Sequence, residues 1–499
     1  MSSIQSDLAE LIGILRLNAQ KRADSLFTLK GKYTILRRLA RKFAFEKNID
    51  EHAWALEICG KSEHSTSYTW HRSLLRRELM DQMFRLEIRT GPQRRKATYQ
   101  LRKSIFLIKT LLLFGARRTA ISLVPVAMKI AKEYELTSDR IELLDALCSN
   151  ASLNGWRLKF ERYDRELREA LRLRVAEVEI TSLDRQMDIE NIGRARPSEH
   201  ALKLAETAPH ESLILFREFP TFNLGIAYYR IATSASVMTS DFKHGLTLCE
   251  NAQAFLSRFP KLYTASIKGE FELNRLWMAL ATRKYETAAE VAAECQKLFL
   301  EGSNNWFIAR EYEFLLLMHT KQWQDAIHLH RLIVTQSRFP VQSDQVKQKW
   351  ELFGHYAALI PEVGKTHSTV TKSNAFEKLL REVPIYHQDK EGYNTSLFIL
   401  QYLILASHGD VKTLTEKSEA MVKFVYRNFR GRHEGQSYAF LKTLLILNNS
   451  DFDVKKAKTR AKKYIEVFSA ASIEKVDETQ ILPFEVMWDW ITNWLGTTR

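Results

Sequence analysis

Apolar side chains recur along this chain at three- and four-residue spacing, and the pattern predicts helices. Leu8, Leu11, Ile12 and Leu15 follow Ser6-Asp7 on one helix face, with the Ser-Asp pair as its cap. Ala457, Ala461, Tyr464 and Phe468 form a second seam, with Lys455, Lys456, Lys458, Arg460, Lys462 and Lys463 outside it. After Pro483, a third stripe runs through Phe484, Met487, Trp488, Ile491 and Leu495, while Trp490 and Trp494 share an adjoining face. The most apolar stretches, Ile105 to Phe114 and Ser396 to Ala406, contain Lys109 and Gln401. Both are too short for about 30 Å of hydrocarbon, so neither predicts a membrane span.

The helical pattern repeats. Phe219-Pro220, Phe259-Pro260 and Phe339-Pro340 recur at 40 and then 80 residues, and Phe299 fills the intermediate position with Leu300 after it. Proline has no N–H and cannot continue a helix, so each Phe-Pro reads as the last buried anchor of a helix and its stop. A second marker is a polar turn followed by an apolar residue and, three later, a small one. It appears at Asp241-Phe242 with Gly245, Lys284-Tyr285 with Ala288, and Gln322-Trp323 with Ala326. Gly409-Asp410-Val411 with Leu414 and Asp453-Val454 with Ala457 continue it, and Gly155-Trp156 precedes it upstream. The apolar residue seals a turn between antiparallel helices and the small one lets them approach, so each period predicts a helix hairpin.

The Tyr/Trp-x-x-Ala step at Tyr285 to Ala288 and Trp323 to Ala326 resembles the tetratricopeptide (TPR) family and its looser relatives. The likeness is best across 222–345 and weaker over 98–175 and 392–470. The period is about 40 rather than about 34 residues, and Phe314 stands where the family has a small residue in its first helix. HEAT or armadillo-like arrays, with periods of about 40 to 47, are the structural alternative. The resemblance implies an all-α, right-handed α-solenoid of stacked helix hairpins with a concave surface that binds protein or peptide. Asn305, Arg310, Tyr312 and His319 are its groove-lining candidates.

Composition supports this reading. Glycine and proline total 28 of 499 residues, under half the usual share of about 12%, which speaks against sandwiches, barrels and most doubly wound folds. Length alone suggests roughly three domains, but the period favours one elongated array of about ten to twelve hairpins. The markers divide it into an N-terminal helical region over 1–92 and hairpins over 93–200. The clearest repeats cover 201–345, a polar loop or joint covers 361–374, and C-terminal repeats cover 375–499. The tryptophan-rich final helix is expected to cap the open end of the array, with Trp490 and Trp494 as a second, docking face.

Charge adds a candidate surface. Of the formal net charge of +15, a surplus of 10 lies between Arg72 and Arg118, where 13 Lys/Arg meet 3 Asp/Glu. Arg72, Arg76, Arg77, Arg85 and Arg89 scatter round their helix, but Arg95, Arg102 and Lys109 recur every seven residues as one stripe, joined by Arg94, Arg117 and Arg118. Three readings stand: a solvated face with acidic neighbours, a contact for an acidic protein, or a contact for a nucleic-acid backbone.

No cofactor or metal site is expected. Val363-Gly364-Lys365-Thr366 lacks the other glycine of a phosphate loop, with Leu359 in its place. His210-Glu211 and His433-Glu434 lack the second histidine of a zinc motif, at Ile214 and Ser437. His319, His328 and His330 cluster without a completing ligand. Cys59, Cys148, Cys249 and Cys295 are isolated and read as reduced thiols. Met1 to Leu17 carries Asp7 and Glu10 and does not read as a secretory signal, so a soluble cytoplasmic protein is expected. The leading expectation is a non-enzymatic scaffold, the second a nucleic-acid-binding solenoid, and the third an enzyme whose site is assembled from distant helices.

Overall fold

The computed structural model describes residues 3–18, 34–46, 50–88, 91–191, 198–360, 393–429, 435–469 and 480–496. Among them lie 22 α-helices and a 3-10 turn, Phe339–Val341, and no strand. No described helix is long and apolar enough to cross a membrane. The polar stretch 361–374, with the Val363–Thr366 run inside it, lies outside the described residues, as do Arg89 and His433-Glu434. The chain divides into two compact units, Met1–Arg174 and Val175–Arg499.

The first unit opens with α1 (Ser3–Asn18), α2 (Thr34–Phe45), α3 (Glu51–Cys59) and α4 (Thr66–Phe84). The stripe Leu8, Ile12 and Leu15 packs with Leu39, Trp54, Leu75 and Leu79 in one core. Four helices then run up and down: α5 (Gln93–Leu113), α6 (Arg117–Glu133), α7 (Thr137–Leu153) and the first half of α8 (Arg157–Asn191). Their turns fall 20 residues apart, at Gly115, Glu135 and Gly155, all left-handed with φ of 79°, 49° and 68°. The next N–H closes each turn, from Ala116, Leu136 and Trp156 to the carbonyls of Leu111, Ala131 and Ala151 at 2.8, 2.9 and 2.9 Å. Hairpins were expected over 93–200; instead α5, α6 and α7 are followed by α8, one helix of 35 residues. It contains neither glycine nor proline, so nothing in its sequence breaks it.

The second unit holds the stretch in which the sequence markers recur. After α9 (Glu199–Glu218) come α10 (Phe222–Met238), α11 (Phe242–Leu256), α12 (Ala265–Ala281) and α13 (Tyr285–Leu298). They are followed by α14 (Asn304–His319), α15 (Trp323–Thr335) and α16 (Asp344–Ala358). The C-terminal helices are α17 (Tyr393–Ser407), α18 (Val411–Glu416), α19 (Ser418–Phe429), α20 (Gln436–Asn448), α21 (Val454–Phe468) and α22 (Phe484–Gly496). Consecutive helices from α9 to α16 pack on one another. Phe242, Tyr285, Trp323, Val411 and Val454, read as opening a second helix, are each the first residue of a helix. Ala288, Ala326 and Ala457, three residues on, are fully buried. A Cβ on Gly245 would stand 2.5 Å from Met278 Sδ, so the small residue admits the α12 side chain.

First and second helices differ in burial because they differ in position. Leu276, Trp277, Met278, Ala279, Leu280 and Ala281 of α12 are buried in succession, whereas α13 buries one seam of Ala288, Val291, Ala292 and Cys295. Each first helix starts on a hydroxyl cap: Thr221, Thr264, Ser303 and Ser343 accept from the N–H of Leu224, Ile267, Trp306 and Val346. The Phe-Pro anchors are half-buried rather than buried, because they lie on the preceding hairpin. Phe259 meets Phe222 at 5.7 Å and Phe339 meets Phe307 at 6.3 Å between ring centroids. The ring of Phe299 lies where a Cβ on Gly269 would meet it at 2.4 Å.

The turn into each second helix is left-handed too, but Ser240, Arg283 and Lys321 occupy it with φ of 58°, 56° and 61°. A side chain there costs about 1 kcal/mol. Exposed Lys321 replaced by glycine is therefore expected to raise stability by about 0.5–1 kcal/mol, measured by urea unfolding. A loss of stability would show that the Lys321 turn is not strained.

Candidate binding cleft

Asp184, Asp188, Arg230, Thr233, Ser234, Glu270 and Asn274 line a cleft of about 280 Å³ within the second unit. The acids stand one turn apart on α8, and the remaining residues come from the first helices α10 and α12. α8 is tied to the start of α10 where Asn223 Nδ2 donates to Glu177 Oε1 at 3.1 Å. Arg230 and Glu270, 40 residues apart, form a two-pronged pair with Nε and Nη2 each 2.6 Å from a carboxylate oxygen. The single lining cation is thus engaged by one of three lining acids, which leaves the cleft with two negative charges in excess. Burial pushes the Asp184 carboxyl up to about 6; Asp188 and Glu270 add to the rise and Arg230 opposes it. A narrow, polar, negatively charged cleft favours a cation that brings hydrogen-bond donors with it.

None of the four expected groove residues lines this cleft. Arg310 pairs with Glu313 and lies 5.2 Å over the Trp306 ring. Tyr312 stacks on Trp277 at 5.6 Å, which joins α14 to α12. Asn305 is half-buried at the start of α14. His319 is buried, its Nε2–H donating to the Gln480 carbonyl at 2.7 Å with the Tyr285 hydroxyl 3.4 Å from Nδ1. Burial holds its pKa down to about 4. His330 is spent on the Trp350 carbonyl at 3.0 Å, and His328 is exposed.

The basic stripe is part of a paired surface. Arg102 lies 3.7 Å from Asp139, and Lys109 is bonded to Glu142, both acids belonging to α7. Burial raises the Asp139 carboxyl, against the pull of Arg102. Arg94 is half-buried, while Arg95, Arg117 and Arg118 are exposed. Such exposed pairs contribute little stability, about 0–1 kcal/mol each, but they offset charge that a phosphate backbone would need.

The terminal helix packs widely within the second unit. α22 packs on α17 and α21. It also reaches the turns of two earlier hairpins: Arg283 is bonded to Glu485 at 3.0 Å, and Trp323 meets Trp490 at 6.0 Å. Trp490 in turn meets Trp494 at 5.8 Å. Both tryptophans are half-buried in these contacts within the chain.

Sequence reasoning missed Asp184, Asp188, Arg230, Glu270 and Asn274. The signal was present in the period: Arg230 and Glu270 stand 40 residues apart with opposite charge. The hydroxyl caps Thr221, Thr264, Ser303 and Ser343 mark the same period independently. No family model matches the chain, and neither does any curated protein or solved structure.

Proposed function

We propose that the chain is a non-enzymatic helical-repeat scaffold, a TPR-like right-handed α-solenoid, that binds a basic protein or peptide segment in the α8–α10–α12 cleft. It acts in the cytoplasm, where its four cysteines remain free thiols. The observation that carries the reading is the pair Asp184 and Asp188 beside an arginine whose donors are already held by Glu270, three acids to one cation in the lining. A lysine or arginine side chain from a partner supplies the missing charge, and Asn274, Thr233 and Ser234 offer further polar contacts. The nucleic-acid reading is weaker, because Arg102 and Lys109 already face α7 acids.

Arrays of basic, neutral and acidic peptides of equal length test the proposal. Basic peptides are expected to be retained, with affinity falling as salt rises, and Asp184→Asn with Asp188→Asn is expected to weaken them about tenfold or more. Equal retention of all three classes would sink the idea.

The same acid has a stability signature. The carboxyl of Asp184 is raised from 3.8 to about 6, so its contribution is favourable below the unfolded value and is lost as pH rises through the folded one. At pH near 7 the ionised form therefore costs stability, about 1–2 kcal/mol after discounting its exposed part. Asp184→Asn is expected to unfold at higher denaturant concentration near neutrality, with the gain closing toward pH 4. A variant less stable than the wild type at neutral pH would mean that Asp184 is structural.

A further inference from the structure

Two of the three turns joining α5 to α8 stand wholly in solvent. Every residue is exposed from 113 to 119 and from 152 to 162, whereas Glu135 and Leu136 in the turn between them are half-buried. α5 and α7 run side by side in the same direction, since Arg102 reaches Asp139 and Lys109, two turns further on, reaches Glu142. α6 and α8 are joined by Lys132 and Glu166 at 3.2 Å. The two bare turns therefore lie at the same end of these helices.

They expose apolar side chains that folding ordinarily covers. Leu113, Phe114 and Leu158 are 82%, 80% and 82% exposed, and Leu153 and Trp156 stand out with them. Cations are interleaved: Arg117 and Arg118 follow the first turn, and Arg157 and Lys159 follow the second. No carboxylate occurs from 113 to 119 or from 152 to 160. Arg157 is bonded to Glu161 at 2.9 Å, and the Lys159 amine lies 4.0 Å over the Trp156 ring. Arg117 and Arg118 have no acidic partner among the described residues.

We propose that this end of the first unit is a peripheral docking surface for an anionic lipid bilayer. Leu113, Phe114, Trp156 and Leu158 enter the headgroup layer, and Arg117 and Arg118 meet the lipid phosphates and carboxylates. Protruding apolar tips suit a yielding interface, where an indole and long cationic stems sit at headgroup depth. A nucleic-acid backbone would use the arginines and leave the leucines in water. The surface is separate from the cleft, which belongs to the second unit, and does not depend on it.

Flotation of the full chain with vesicles of phosphatidylcholine, with and without about one third phosphatidylserine, tests the proposal. The chain is expected to float with the anionic vesicles, to stay behind with neutral ones, and to be released as salt rises. Each surface cation contributes about fivefold, so Arg117→Glu with Arg118→Glu is expected to lower partitioning at least about 25-fold. Leu113→Ser, Phe114→Ser and Leu158→Ser together are expected to lower it at unchanged melting temperature, because these side chains are already in water. Asp184→Asn should float like the wild type. Absence of flotation, equal flotation with neutral vesicles, or undiminished flotation of both variants would overturn the proposal. Retention of single-stranded RNA without flotation would overturn it in favour of a nucleic-acid contact.

Discussion

Phe314→Ala is expected to destabilise the second unit by about 3–5 kcal/mol. Phe314 is fully buried in α14, stacked on Phe353 of α16 at 4.6 Å and 10°, with Trp350 edge-on at 5.7 Å. Removing the ring forfeits its transfer from water and leaves a cavity between two helices whose other contacts cannot close over it. The site is informative because a TPR helix would have a small residue there; this chain separates successive first helices with an aromatic stack. Gly354, on the same helix as Phe353, allows the compensating close approach, since a Cβ there would stand 2.6 Å from His330 Nε2. Urea unfolding followed by circular dichroism reads the loss. A cost below about 1 kcal/mol would mean that the stack is not what holds α14 to α16.

Acid is expected to weaken the hold on the terminal segment. His319 is buried and neutral, its pKa held down to about 4 from 6.5 chiefly by burial, with the Arg283 guanidinium nearby adding to the effect and the hydrogen bond to Gln480 opposing it. Tyr285 and Gln480 face it from the adjoining elements, and Glu485 engages Arg283. A histidine with a depressed folded pKa is fully accommodated above its unfolded value, and the unfolded chain takes up the proton first as pH falls. Stability is therefore expected to fall by about 3 kcal/mol between pH 6.5 and pH 4. Hydrogen exchange of residues 480–496 should quicken over that window, and His319→Gln should flatten the dependence. Unchanged exchange at pH 4 would separate His319 from the attachment of α22.

Much of the second unit was legible because the sequence markers write the same local physics several times. Phe242, Tyr285 and Trp323 open helices where the sequence placed them, since a turn followed by a sealing aromatic and a small residue is a local arrangement. The scarcity of glycine concealed how the turns are made. Ser240, Arg283 and Lys321 take left-handed conformations that glycine would have announced. The long α8 was missed because hairpins were expected over 93–200, although no proline or glycine breaks the chain between Arg157 and Asn191.

The site was hardly legible, and for a different reason. Arg230 is an unremarkable arginine until Glu270, 40 residues away, takes both of its prongs while Asp184 and Asp188 line the same cleft. His319 is buried against the Gln480 carbonyl and Trp490 meets Trp323, contacts that spacing along the chain does not disclose. The stripe Arg95, Arg102 and Lys109 was visible, but the α7 acids opposite two of its members were not.

From its sequence alone the chain was determined to be helical, with a period near 40 residues and helix starts at particular aromatics, because spacing, capping and turn chemistry act within a few residues. Only the tertiary structure decided which charges are answered, which aromatics are covered and which turns stay bare. Those properties depend on what stands opposite each side chain across helices, and one-dimensional spacing does not specify that partner.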